Sequence, residues 1–415
     1  MGRAWIPAVA LRLAIIAGLV VFAAYIGLWM ALIVNDGSKS ADYTAFMTGW
    51  TIVLDGRGHD LYDVPTQIEV QRRLLGGLSF EAGLNPFNNP PHLVLPFVPL
   101  AILPLLPSYI VWGVIQLGLL AWLGWRLLTQ VATGWRRSER TLLVVAMLAT
   151  PPLAITLFQG SLSLLVSVAM LEAFIALRAG RDRTAAAWLV VASLKPQVVV
   201  AIAAAVLGGR RWRVIAWGLG FLAATVILAT LVMGAGIWPA YARFLGDYVG
   251  SFDVLSVRPA VMWNVRGTIT MLVGPERAGT QASAINTIAL VVWLLGLVGI
   301  GLWWSRRTWV PASARFQLGF ALTLVLGMLL SPHLNPHDGL LLVPAGALAY
   351  GAIRQDPSGP AFGALLFAAP FLILATNPIS ANAVDGTPIR VPVVIMLVMV
   401  AWMSIALSRS PQDAG

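Results

Sequence analysis

From Leu13 to Val34 the chain runs for 22 residues without a charged side chain. As an α-helix such a run is about 33 Å long, enough to cross a hydrocarbon layer of about 30 Å. Inside that layer each backbone N–H and C=O needs a partner within the protein, and a helix supplies one. The run exceeds the apolar core of a signal peptide, about 7–15 residues, and lacks a clear cleavage site, so it reads as a retained first span. Comparable runs recur near 108–127, 141–158, 161–178, 185–194, 197–208, 214–233, 284–304, 316–330, 339–353, 361–375 and 391–407. The expected fold is an all-α polytopic membrane protein of about twelve spans, one membrane domain over residues 1–415. Composition agrees: 59% of residues are hydrophobic and 11% charged, against about 25% charged in soluble domains.

The net charge of +10 does not point to nucleic acid. Its arginines gather in short clusters between apolar runs: Arg126 with Arg136, Arg137 and Arg140; Arg178, Arg181 and Arg183; Arg210, Arg211 and Arg213; Arg306 and Arg307. Clusters of this kind mark the cytoplasmic side. Placing all of them there puts both termini inside. The chain has no cysteine, which excludes disulfides, thiol catalysis and Cys-ligated metals.

"PPHLVLPFVPLAILPLLPS" carries prolines at 90, 91, 96, 99, 104 and 107. Each internal proline removes a backbone donor and clashes with the preceding turn. Residues 91–107 therefore read as a re-entrant or broken helix, tolerable where protein or a wet cavity surrounds it. Lys195 and Pro196 fall at the outer boundary, between the short runs 185–194 and 197–208.

On this map the polar residues collect outside. Loop 35–92 has seven of the 17 acids, and a second large loop spans 234–283. All four histidines (59, 92, 333 and 337) and Lys195, one of two lysines, lie on the same side. "DYTAFMTGWTIVL" spaces Tyr43, Phe46, Met47, Trp50, Val53 and Leu54 at three and four, one side of a helix. "VPTQIEVQRRLL" repeats the pattern more weakly. Both fit short amphipathic helices along the outer interface. Most of the 17 tryptophans, such as Trp5, Trp303 and Trp304, sit at span ends, as an aromatic belt does.

Five stretches then carry a resemblance. "ADYTAFMTGWTIVLDGRGHDLYD" is similar to the opening signature of glycosyltransferase family 87, and "NNPPHLVLPFVPLAILP" resembles its Pro-Pro segment. "FQGSLSLLV" resembles its Gly-Gln-x-Asn helix start, with Ser161 in place of Gln and Ser163 in place of Asn. "ASLKPQ" and "LLSPHLNPHDGLLLVP" resemble its Lys-Pro and His-Asp elements. The resemblance implies a C-type glycosyltransferase (GT-C) fold. It further implies transfer of a hexose, by family weight mannose, from a polyprenyl-phosphate donor to an acceptor outside the membrane, usually with inversion. The acceptor would be a glycolipid or polysaccharide. The expected site is the bacterial inner or plasma membrane, with the active side extracytoplasmic and membrane lipids as surroundings. No motif demands a cofactor or metal, and no nucleic-acid partner is expected.

Such a transfer needs a base for the acceptor hydroxyl and cations for the departing phosphate. Asp42 matches the family acid and is the expected base; taken alone, an Asp there is more often a helix cap. Asp36, nearer the membrane edge, is the second choice. Lys195 is the first candidate for the phosphate, its alternative being a snorkelling interfacial lysine. His333 and His337 are expected to hydrogen-bond phosphate or hydroxyls, with Asp338 as a secondary candidate. Zinc is disfavoured because Pro332 and Pro336 break the helix that would align the two rings. Arg258 and Arg266 could clamp phosphate or be surface charge. His92 could face the cavity. Tyr62 and Asp63 read as holding the loop's shape, and Glu172, inside a span, needs a partner. Two other classes fit less well: a transporter or lipid flippase, for which no half-to-half repeat is found, and a lipid-linked oligosaccharide ligase or polymerase.

Overall fold

The structure is a computed structural model; it describes residues 7–35, 37–40, 42–78, 84–250, 257–376 and 390–409. Among these the chain is helical, without strands. In order the helices are α1 (Ala8–Val34), α2 (Tyr43–Leu54), α3 (Val64–Leu74), α4 (Leu105–Arg126), α5 (Arg137–Ala149) and α6 (Pro151–Gln159). Then come α7 (Ser163–Arg178), α8 (Asp182–Ala192), α9 (Pro196–Gly208), α10 (Trp212–Met233), α11 (Ile237–Gly250) and α12 (Val265–Val273). The rest are α13 (Pro275–Ala278), α14 (Ala282–Ser305), α15 (Ala314–Leu330), α16 (Leu342–Ile353), α17 (Gly359–Thr376) and α18 (Val391–Arg409).

Every expected span coincides with helix, but the count of about twelve crossings is not reached by length. Among the described residues six helices are long and apolar enough to cross: α1, α4 with its extension to Val131, α10, α14, α17 and α18. The pair α5 and α6, bent by 43° where Pro151 and Pro152 interrupt the backbone ladder, makes a seventh if it is counted as one broken span. The apolar runs near 197–208 and 316–330 form the shorter α9 and α15. At 13 residues α9 is about 20 Å long, short of the hydrocarbon thickness. Of these two, α15 packs inward along most of its length, and α9 exposes Leu207. α7 is buried along almost its whole length, whereas α1, α10 and α14 expose Leu19, Leu231 and Leu295.

The proline-rich segment is broken, as expected of 91–107. It forms 3-10 turns at Pro91–Leu93 and Leu95–Ile102, and Pro104 then directly precedes α4. This segment covers α2. Phe97 stacks on Trp50 at 5.4 Å and meets Trp112 edge-on at 5.9 Å. The helix expected to lie along the interface is therefore buried instead, ten of its twelve residues from Tyr43 to Val53. Part of its polar side is satisfied internally: Thr48 Oγ1 donates to the Thr44 carbonyl (2.7 Å) and accepts from Gln71 Nε2 (3.3 Å), while Thr51 Oγ1 is buried without a partner among the described residues. Tyr62 and Asp63 shape the same loop. The Tyr62 hydroxyl donates to the Asn89 carbonyl (2.5 Å), and Asp63 caps α3 through the Thr66 N–H (2.9 Å).

The ends of the helices remote from α2 are tied by charge. Glu172 accepts from both Arg126 and the Trp122 indole, Arg211 pairs with Asp182, and Arg354 with Glu139. Here α9 and α14 touch backbone to backbone: a Cβ at Gly208 would lie 2.1 Å from the Gly301 carbonyl oxygen. Backbone atoms cannot swing aside as a flexible side chain can. Gly208→Ala is expected to cost about 1–3 kcal/mol, the usual penalty of overpacking, read as a lowered unfolding temperature in detergent. Gly220→Ala on α10, where nothing lies within 4 Å, is the control and should leave that temperature unchanged or higher.

Candidate active site

Asp42 precedes α2 at the capping position, yet its side chain makes no bond to the first turn. Its carboxylate turns away: Oδ1 accepts from Asn85 Nδ2 (3.4 Å), and Oδ2 lies 3.8 Å from His337 Nδ1. Its backbone N–H donates to Gln159 Oε1 (2.9 Å) at the end of α6. The tail of the bent α5–α6 pair thus holds the residue that starts α2.

Lys195 occupies the break between α8 and α9. Pro196 is the first residue of α9, where its missing N–H costs nothing. The Lys195 ammonium pairs with Asp338 Oδ1 and donates to Ser163 Oγ (3.1 Å). Ser163 Oγ in turn donates to Asp338 Oδ1 (2.9 Å). Asp338 sits in a 3-10 turn, Pro336–Leu341, between α15 and α16; its Oδ2 accepts the Asn335 N–H (3.1 Å), closing a capping box. The His337 ring bridges the two acids, with Nε2 3.6 Å from Asp338 Oδ1.

These groups border one cavity of about 370 Å³. Asp42, Lys195, His333, His337 and Asp338 line it, with the amides Asn85, Asn88, Asn89, Gln197 and Asn335. The other wall is apolar: Val200 from α9, Leu245 from α11, and Leu290 and Trp293 from α14. Leu290 is 44% exposed at the helix surface, so this wall reaches the apolar surroundings of the protein. Trp293 Nε1 and Asn89 Oδ1 are buried without a hydrogen-bond partner among the described residues. Tyr248 of α11 packs on the His333 ring at 5.7 Å.

The two carboxyls respond oppositely to this setting. Asp42 is 36% exposed, but what it faces is the cavity. Desolvation by the surrounding protein is therefore the leading influence, and it raises the pKa above 3.8 against the opposing pull of Lys195 and Asn85. Burial would raise Asp338 as well. There the Lys195 charge, His337 and the hydrogen bonds from Lys195 and Ser163 prevail and hold it at about 2. Burial also depresses His333 to about 4 and His337 to about 3, so both rings are neutral near pH 7. Environments that drive two carboxyls apart separate a proton acceptor from a permanent anion.

Not every candidate joins this group. Arg258 is exposed, and Arg266 is 2% exposed in α12. Neither borders the cavity, although the Arg266 charge acts on His333. His92 stacks on Trp238 at 6.4 Å and lies 3.3 Å from Ser193 Oγ, outside the cavity wall. Tyr62 is buried against Phe87, Tyr241 and Phe244. Asp36 lies outside the described residues. Asn85, Gln159 and Tyr248 carried no signal that singled them out in the sequence. Among the described residues no cluster of three or more His, Asp or Glu side chains is placed to hold a metal ion.

The Lys195–Asp338 pair is almost wholly removed from solvent, at 12% and 1% side-chain exposure. Truncating one member strands the other charge, which costs about 3–5 kcal/mol. Lys195→Met and Asp338→Asn should each lower the unfolding temperature markedly, and the double variant should lose less than their sum. A double-mutant cycle by thermal unfolding in detergent measures this. Additive losses would mean that the two side chains do not interact.

A family model described as glycosyltransferase family 87 matches residues 87–332. Lys195 falls inside that stretch, and Asp42, His333, His337 and Asp338 flank it. Comparison with curated proteins and with solved structures gives no match. The match covers more than half of a chain whose long apolar helices embed it in a membrane, so the protein belongs to glycosyltransferase family 87, a family of membrane glycosyltransferases.

Proposed function

We propose that the protein transfers a hexose, mannose first among the candidates, from a polyprenyl-phosphate-linked donor to a glycolipid or polysaccharide acceptor, with inversion, on the extracytoplasmic side of a bacterial cell membrane. The fold would be of the GT-C type. In this reading the acceptor hydroxyl attacks the anomeric carbon as the bond to the phosphate oxygen breaks. The proton passes to Asp42, and the bonding pair leaves with the polyprenyl phosphate. An ammonium has three N–H donors, of which Asp338 and Ser163 engage two at Lys195. The third would meet the phosphate, assisted by His333 and His337 as neutral donors.

The observation that carries this reading is the shared cavity of Asp42 and Lys195. A base with a raised pKa and a cation pinned by a permanent anion are what a displacement at a sugar phosphate asks for. The apolar wall of Val200, Leu245, Leu290 and Trp293 suits a prenyl chain, and the amide-rich wall suits sugar hydroxyls. The unpaired Trp293 Nε1 and Asn89 Oδ1 support a polar ligand, since buried polar atoms in native proteins are nearly always paired. Basic clusters at the opposite helix ends favour an outward-facing site.

Two outcomes test the proposal. With radiolabelled polyprenyl-phosphate-mannose in membranes, Asp42→Asn should lower transfer by about 10²–10⁴-fold, the usual worth of a general base. Undiminished transfer would remove Asp42 from the chemistry. The second outcome is a pH profile. Asp42 must be ionised to accept a proton, so activity falls as pH drops through its pKa. Because that pKa is raised above 3.8, the acid limb of kcat/KM should lie above the ordinary carboxylate range. The residual activity of Asp42→Asn should lack that limb.

A further inference from the structure

A second cavity, about 570 Å³, opens at the other end of the bent α5–α6 pair, lined by Leu128, Trp135, Arg137, Arg140, Thr141 and Val144. From Arg137 to Gln159, which holds Asp42, the pair runs 23 residues, about 34 Å before its bend is counted. Read as one broken span, the pair puts this cavity on the membrane side opposite the candidate active site, with which it shares no lining residue.

Residues 137, 140, 141 and 144 are spaced so that they share one side of α5. The acid within this turn points elsewhere: Glu139 is buried, caps α5 through the Arg136 N–H (2.9 Å) and pairs with Arg354 at 2.9 Å. Among the described residues neither the Arg137 nor the Arg140 guanidinium has an ion pair or a side-chain hydrogen bond. Two uncompensated arginines thus face one hollow. Its walls change character along the helix: Arg137 and Arg140 come first, Thr141 next, then Val144 opposite Leu128 of the π-helical turn Leu127–Val131. Trp135 is buried and fixed edge-on against Tyr350 at 4.8 Å, which makes that wall rigid.

We propose that this pocket binds an anionic phospholipid, its phosphate head group between Arg137 and Arg140 and its acyl chain along Val144 and Leu128. Guanidinium groups grip phosphate in bidentate fashion, and the positive dipole end at the start of α5 adds to the attraction. The order of side chains, charged at the helix start and apolar a turn or two deeper, repeats the order of head group and chain in a lipid leaflet. A free anion has no use for the apolar floor, and a zwitterionic lipid lacks the net charge that two arginines demand. Basic pockets between membrane helices are suited to such head groups.

The test uses the full-length protein in neutral detergent, with thermal unfolding measured after addition of phosphatidylglycerol, phosphatidylcholine or inorganic phosphate. Phosphatidylglycerol is expected to raise the unfolding temperature, and phosphatidylcholine and phosphate are expected not to. Arg137→Gln/Arg140→Gln should abolish that rise. The charge-matched control Arg181→Gln/Arg213→Gln should keep it. Should the double arginine variant fail to fold, Val144→Trp, which fills the floor and spares both charges, must also abolish the rise. An equal rise with phosphatidylcholine, a rise with phosphate alone, a rise that survives in Arg137→Gln/Arg140→Gln or in Val144→Trp, or an equal loss in the Arg181/Arg213 control would each overturn the proposal.

Discussion

The pairing of Lys195 with Asp338 is the contact on which the site depends. A charge taken out of water costs several kcal/mol unless a partner and further hydrogen bonds replace the solvent. Neither residue can therefore move without the other, although 143 positions separate them in the chain. Ser163, which bridges the two, adds the start of α7 to the same point. Three breaks in helical order thus converge: the α8–α9 junction, the first turn of α7 and the 3-10 turn after α15. Each break leaves backbone groups without intrahelical partners. Here the breaks face one another around a cavity with polar side chains in its wall, a setting that tolerates irregular backbone better than lipid does.

From that fixed point the rest of the site follows. His337 adjoins Asp338 in sequence, and its ring reaches across to Asp42. Asp42 is delivered by a different route, through Gln159 at the end of the bent α5–α6 pair and through Asn85 in the loop after α3. The two acids end in one cavity with opposite electrostatic fates, because only one of them touches the ammonium directly. In the proposed transfer this division separates the group that accepts a proton from the group that holds a cation in place. A single carboxylate next to Lys195 could not serve both ends.

Much of this was legible in the chain. Uninterrupted apolar runs give the positions of α1, α4, α10, α14, α17 and α18, since nothing but a helix pairs a backbone over that length in lipid. The prolines between 90 and 107 announce a broken element for an equally direct reason. What the runs do not reveal is depth. α2 has the pattern of an interfacial helix, and its threonines look like a solvated side, yet the proline-rich segment folds over it and Gln71 satisfies Thr48. Likewise the short runs at 197–208 and 316–330 have the composition of spans but not the length: α15 is buried along most of its course, whereas α9 still exposes Leu207. In the site, rare residues were readable: two lysines and four histidines in a chain of 415 make Lys195, His333 and His337 conspicuous. Common ones were not. Asn85, Gln159 and Tyr248 have many counterparts, and only the folded arrangement selects them. Ser163 stood out only as a departure from a family pattern, whereas its hydroxyl completes the charge pair. Arg258 and Arg266 shared a suggestive loop, but Arg258 is exposed, Arg266 is buried in α12, and neither borders the cavity.

In the proposed transfer a lipid-linked sugar lies between Asp42 and Lys195 in one cavity with an apolar exit. A cryo-electron microscopy structure with a non-transferable polyprenyl-phosphonate-mannose analogue tests it most directly. A phosphonate oxygen is expected within hydrogen-bond distance of Lys195 Nζ, with the anomeric carbon turned toward Asp42 and the prenyl chain leaving past Leu290 and Trp293. A phosphonate bound away from Lys195, with Asp42 outside contact of the sugar, would contradict it.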